Sequence, residues 1–329
     1  MQNGVASSKG EGSATADVHS LEGVKFTNPN VTAEGEPRAV VPFRGYETVW
    51  FNTGTLCNLT CQNCYIESSP KNDRLVFLTR AEVRLVLDEA MGLADPPAEI
   101  GFTGGEPFMN PDIIGMLEDS LAREFRVLVL TNGMKPMQRL KEPLLDLNRR
   151  WGARLTVRVS LDHYEKSGHE QLRGPRTWRP TIDGLLWLAA NRFEVTVAGR
   201  TIWDRSDATM RAGYAALFAN LDIPIDANDP RQLTLFPEME EHEDVPEISA
   251  SCWGILGKSP ESVMCASSRM VVKRKGADQL TVLSCTLIPY SESFEMGSSL
   301  AEARQAVSLN HRHCARFCVL GGASCSAHK

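Results

Sequence analysis

Short apolar runs recur along most of the chain, each closing on a Gly, Asn, Asp or Pro turn signal. "ETVWFNTG" (47–54), "AEIGFTGG" (98–105), "FRVLVLTNG" (125–133), "RLTVRVSLD" (154–162), "FEVTVAGRT" (193–201) and "QLTLFP" (232–237) each predict a buried strand. Helical stretches lie between them. One opens at Thr79 with Glu82 three positions on, a capping box. Another starts at Asn110-Pro111, a cap followed by proline at the first helical position. "TIDGLLWLAANR" (181–192) and residues 206–220 complete the set. Strands alternating with helices predict parallel crossovers. The fold class is therefore α/β: a partial (β/α)6 barrel, too short for eight-fold closure. In such sheets chemistry gathers at the C-terminal strand ends, where Cys57, Gly104, Thr131, Ser160 and Arg200 fall.

The flanks differ in character. Residues 1–44 are rich in Gly, Ser, Ala, Thr and Glu and predict a flexible tail, with the barrel core over 45–240. The acid-rich "EMEEHEDVPE" (238–247) predicts a charged linker or solvated loop. Residues 241–329 form a small cysteine-rich α+β appendix. Hydrophobic residues make up 42% and charged residues 23% of the 329, as in globular proteins generally. The net charge of −6 gives no indication of a nucleic-acid surface. No apolar run is long enough for a membrane span, and the N-terminus lacks the apolar stretch of a secretory signal. A cytoplasmic setting follows, where clustered thiols more often bind metal than pair.

Nine cysteines fall in two sets. "TLCNLTCQNCYIESS" (55–69) holds Cys57, Cys61 and Cys64, a Cys-x3-Cys-x2-Cys spacing followed by Tyr65. The other six are Cys252, Cys265, Cys285, Cys314, Cys318 and Cys325. Structural zinc and ordinary iron–sulfur clusters take four protein ligands. Three thiolates on one loop leave a metal position open. The spacing resembles the signature of the radical S-adenosylmethionine (SAM) superfamily, and three further motifs follow in that family's order. These are "FTGGEP" (102–107), "TNG" (131–133) and "SLD" (160–162). A zinc knuckle borrowing a distant ligand is the alternative.

The resemblance implies that the three cysteines hold a [4Fe-4S] cluster whose fourth iron is chelated by the methionine moiety of SAM. One-electron reduction would then give a 5′-deoxyadenosyl radical that abstracts hydrogen from a small-molecule or peptide/protein substrate. It further implies cofactor contacts from Tyr65, Gly104, Gly105, Glu106, Asn132, Ser160 and Arg173. Gly-Gly-Glu-Pro meets an ammonium group in that family. Arg173 has the donor fork for a carboxylate, with a surface salt bridge as the alternative. Asn132 serves as a turn former or a contact. An external one-electron reductant of flavodoxin or ferredoxin type is the implied partner.

"MVVKRKG" and "LTVLS" predict a hairpin that brings Cys265 and Cys285 together. Residues 298–307 predict a helix capped by Ser299 and Glu302. This arrangement resembles the SPASM and twitch auxiliary-cluster regions of the superfamily. Six thiols are too few for two clusters of four, so one auxiliary [4Fe-4S] cluster is expected. The expected ligands are Cys265, Cys285, Cys318 and Cys325, with Cys314 an alternative and zinc a rival metal. Cys252 reads as a buried thiol. His311 and His313 read as exposed loop residues, His163 as a strand-end residue able to face the substrate, and Trp50, Trp187 and Phe236 as core. A noncatalytic iron–sulfur carrier or scaffold is the alternative function. It would keep the cysteines but have no use for Gly-Gly-Glu-Pro or Ser160.

Overall fold

The computed structural model describes residues 25–201, 205–237 and 244–322. Ten strands run β1 (Val40–Val41), β2 (Thr48–Asn52), β3 (Glu99–Thr103), β4 (Arg126–Thr131), β5 (Leu155–Ser160), β6 (Glu194–Thr201), β7 (Leu233–Pro237), β8 (Ser268–Val272), β9 (Thr281–Leu283) and β10 (Val307–Ser308). The helices are α1 (Arg80–Met91), α2 (Ile113–Ala122), α3 (Lys135–Gln138), α4 (Lys141–Trp151), α5 (Lys166–Arg173), α6 (Trp178–Ala190), α7 (Asp207–Asn220) and α8 (Cys252–Leu256). One eight-stranded sheet has the order β7-β6-β5-β4-β3-β2-β8-β9. Strands β2 to β7 pair in parallel, as the alternating pattern requires. Among the described residues the sheet does not close.

Both faces of this sheet are buried, so apolar side chains point to both sides of its strands. Val49, Phe51, Ile100, Phe102, Val127, Val157 and Val197 pack under the helices. Trp50, Leu128, Ala198 and Met270 face the lumen, where they join the appendix in one continuous core. Gly101 makes room for Trp50: a Cβ there would lie 2.4 Å from the indole ring.

The sheet continues past the expected core boundary at 240. Strand β8 adds to β2 in parallel, with Thr48 opposite Ser268, and β9 returns antiparallel as the predicted hairpin. The end of the expected tail is also built in. Strand β1 pairs with β10, and Arg38 makes a buried ion pair with Glu247 at 2.5 Å. Glu247 also accepts from the backbone N–H of Phe26 and Ala33. That end of the acidic stretch is therefore a buried brace rather than a solvated loop. Residues 1–24 and 238–243 lie outside the described residues.

Two local expectations shift. The Thr79–Glu82 capping box forms with both bonds present. Helix α2, however, starts at Ile113, not at Pro111. Asn110 accepts from the Asp112 N–H and donates to the carbonyls of Thr53 and Leu78, joining the end of β2 to the start of α1. Residues 298–307 are turns ending in β10 rather than a helix. Tertiary donors capture the carbonyls a helix would use. The Tyr46 hydroxyl donates to Leu300, and Arg269 donates to Ala303 and Gln305. Among the described residues no helix is long and apolar enough to cross a membrane.

Candidate functional site

Five crossovers deliver their strand ends to one place. Cys57, Gly104, Thr131, Ser160 and Arg200 all line a single cavity of about 170 Å³, as expected for C-terminal strand ends. Cys61, Cys64 and Tyr65 complete its mouth. The cysteine loop is held by its main chain. Cys57 N–H donates to Ser69 O at 3.1 Å, Gln62 N–H to Leu172 O at 2.7 Å, and Thr55 N–H to Leu75 O at 3.0 Å. Burial pushes the Cys57 thiol up to about 12 and raises that of Cys61, which Arg173 partly offsets. Among the described residues no three Cys, His, Asp or Glu side chains converge on a single metal point.

The glycines of "FTGGEP" lie against this loop. Gly104 has φ +137°, and a Cβ there would lie 2.6 Å from Gly54 O. A Cβ on Gly105 would lie 2.2 Å from Leu56 O. Gly105 N–H donates to Gly54 O and Glu106 N–H to Leu56 O, so the motif braces the cysteine loop by backbone contact.

Glu106 supplies the carboxylate of the motif. It is 1% exposed and does not line the cavity. Its carboxylate accepts from Thr131 Oγ1 (2.9 Å), Asn132 N–H (2.8 Å) and Phe108 N–H (3.2 Å), tying the end of β3 to the end of β4. Burial outweighs these bonds and pushes its carboxyl from the ordinary 4.5 up to about 7. Across that window the native state holds a proton that the unfolded state has released. Stability therefore falls as pH rises from 4.5 to about 7, by about 3 kcal/mol in total. Denaturant unfolding of the cluster-free protein should show this fall, and Glu106→Gln should lack that component. An identical pH slope in the variant would contradict the assignment.

Asn132 lines the cavity with its amide already engaged. Nδ2 donates to Asn58 Oδ1 at 2.9 Å, and Oδ1 accepts from Met134 N–H at 3.0 Å. Arg173 is buried rather than a surface residue. Its guanidinium forms a bidentate pair with Asp162, at 2.8 and 2.9 Å. Arg200 stands 4.0 Å from the same carboxylate, donates to Asn63 O, and lies 4.9 Å over the Tyr65 ring. Burial alone would raise the Asp162 carboxyl, but Arg173 and Arg200 outweigh it and hold the pKa below the ordinary value. Asp162 and its pairing were not read from the sequence. The only signal was an acid at the C-terminal end of a strand, in "SLD".

Trp50 and Phe236 are core residues that also line the cavity. The Trp50 Nε1–H is buried with no acceptor among the described residues. Trp187 packs outside the sheet on Phe193. His163 is buried away from the cavity, with Nδ1 accepting from Glu165 N–H at 2.9 Å.

A second cavity, of about 20 Å³, lies under the β8–β9 hairpin. Cys265, Cys285, Cys314 and Cys318 all line it, so Cys314 joins the expected set. Cys325 lies outside the described residues. Cys314 and Cys318 sit on a π-helical turn, Cys314–Leu320, a form frequent at functional sites. Its Phe317 points into the first cavity and stacks on Phe236 at 5.1 Å. Thr286 lines both cavities. His313 lines the second, and both His311 and His313 are half-buried rather than exposed. Burial lowers their pKa values, to about 3 and about 4. Cys252 is absent from that lining and sits 3.5 Å from Ser249 Oγ.

The sequence model of the radical SAM superfamily matches residues 51–208 of this chain. The chain's cofactors are accordingly a [4Fe-4S] cluster and SAM. The antilisterial bacteriocin subtilosin biosynthesis protein AlbA of Bacillus subtilis (strain 168) is 26% identical over 202 residues. That match covers 56% of this chain but only 43% of AlbA. Among solved structures, Streptococcus suis SuiB bound to precursor peptide SuiA superposes with a TM-score of 0.58 at 12% identity. The superposition covers 81% of this chain and 66% of SuiB. Native anSMEcpe with bound AdoMet gives a TM-score of 0.55 at 14% identity, covering 80% and 81% of the two chains. These structures share the fold.

Proposed function

We propose that Cys57, Cys61 and Cys64 hold the [4Fe-4S] cluster with one iron left for SAM, and that the chain acts on a peptide or protein substrate. The observation that carries the first part is the gathering of the three thiols and five strand ends around one cavity. The donor set fits the pair of cofactors: three thiols, two buried arginines and the residue with an unsatisfied indole N–H line the same cavity. When bound, the cofactors supply reductive cleavage of the sulfonium C–S bond and hydrogen-atom abstraction from a substrate carbon.

The chain's own residues position and enclose. Gly105 keeps the cysteine loop close to β3 through its contact with residues 54–56. Asp162 holds Arg173 in place, presenting cationic surface beside Cys61. Ser160 offers a hydroxyl at the end of β5, while Trp50, Leu130, Phe236 and Phe317 keep water from the cavity. Cys265, Cys285, Cys314 and Cys318 hold one auxiliary [4Fe-4S] cluster of the SPASM/twitch kind. An external flavodoxin- or ferredoxin-type protein supplies the electron in a cytoplasmic setting. A peptide substrate is favoured by AlbA's named role in bacteriocin biosynthesis and by the precursor peptide bound to SuiB.

The test is anaerobic reconstitution with iron and sulfide, followed by dithionite and SAM. The enzyme is expected to release 5′-deoxyadenosine. A noncatalytic carrier would show cluster absorbance without cleavage, and a zinc-stabilised module would show neither.

A further inference from the structure

The second cavity contains a charge that the cysteines alone do not explain. Arg269, on β8, lines it together with Cys265, Cys285, Cys314 and Cys318, and is 1% exposed. Its guanidinium donates to four main-chain carbonyls: Cys265 (2.6 Å), Ser268 (2.8 Å), Ala303 (2.8 Å) and Gln305 (2.9 Å). Among the described residues no carboxylate lies within 4.0 Å of it. Arg38 and Arg173, also buried, each have one, in Glu247 and Asp162. The Phe43 ring lies 4.5 Å from the guanidinium, but carbonyl dipoles and a ring face compensate a buried charge less well than a carboxylate does. Burial works against the Arg269 cation, whereas the Cys265 and Cys285 thiolates favour it.

We propose that Arg269 is the resident counter-cation of the four-cysteine cavity, balancing the anionic charge of a thiolate-held cluster and raising its reduction potential. This inference rests on the auxiliary-cluster reading above. A cluster held by four thiolates is a net anion and becomes more negative on reduction. A fixed cation beside it stabilises the reduced form more than the oxidised one. The carbonyl cage holds the guanidinium at the cavity wall, so Arg269 acts as a positioning residue, not a ligand.

The experiment uses the full chain carrying Cys57, Cys61 and Cys64 as alanine, so that only the C-terminal site reports. Iron per chain and an EPR-monitored redox titration are measured for Arg269, Arg269→Gln and Arg269→Lys. The expected result is a more negative midpoint for Arg269→Gln. The ratio of reduced to oxidised cluster should fall about tenfold at a fixed potential, a shift of about 59 mV for one electron. Arg269→Lys should stay near the unsubstituted value. Cluster retention by the Lys chain and its loss from the Gln chain also supports the proposal. An unchanged midpoint in Arg269→Gln overturns it. Equal shifts in both variants overturn it, as does loss of iron from both, because the carbonyl tether rather than the charge would then matter. If the unsubstituted Arg269 chain binds no iron in this background, the auxiliary-cluster reading itself fails.

Discussion

A chain with Cys57, Cys61 and Cys64 all replaced by alanine is expected to release no 5′-deoxyadenosine and to hold about four irons, where the unsubstituted chain holds about eight. Among the described residues Cys57, Cys61 and Cys64 line one cavity, Cys265, Cys285, Cys314 and Cys318 line another, and no cysteine lines both. The loop carrying the first set is anchored through main-chain bonds at residues 55, 57 and 62. Removing three thiols therefore deletes ligands without deleting those anchors. The appendix keeps its hairpin and its shared core with the lumen. Iron assay and product chromatography on the anaerobically reconstituted chain check both halves. Residual cleavage would place the reactive cluster elsewhere. Loss of all iron would mean that the second site does not load on its own.

Asp162→Asn is expected to destabilise the cluster-free protein by about 3–5 kcal/mol, the usual cost of removing one partner of a buried ion pair. The Asp162 side chain is only 4% exposed and Arg173 12%, so solvent screens the pair little. Asparagine can keep at most part of the bidentate bond and removes the carboxylate that pairs with Arg173. The effect should depend on pH in a definite sense. The folded-state carboxyl pKa is held down, so the stabilisation is present above the unfolded value of about 3.9 and is lost as pH falls through the folded one. Urea unfolding at neutral pH and again in acid measures the gap between wild type and variant. A neutral-pH loss below about 1 kcal/mol would show that the cluster of charges is solvated, contrary to its burial.

Much of the architecture was legible because it rests on local rules. The apolar, β-branched run at residues 125–131 reads as a buried strand, and the alternation of such strands with helices leaves parallel pairing as the way to connect them. The Thr79–Glu82 cap is a contact between near neighbours and formed as read. The cavity-lining positions were legible for a related reason: each lies at the end of a recognisable strand. Where reading failed, a distant partner had intervened. Residues 298–307 carry a helical cap pattern, but Tyr46 and Arg269, remote in sequence, take three of their carbonyls. For Glu106, read from its motif as a cofactor contact, folding adds partners that the motif does not announce. Two of its three donors, Thr131 and Asn132, stand at the end of β4, some 25 residues away.

The linear chain determined which thiols sit together on the first loop, and which residues stand at strand ends, since both depend on spacing alone. Folding assigned the charges. The partnership of Asp162 with Arg173 and Arg200, the isolation of Arg269 beside four cysteines, and the entry of Cys314 into that group follow from distances across the sheet and the π-turn. Spacing carries no information about burial or about which opposite charge arrives from another element, and those two quantities set the electrostatics of both cavities.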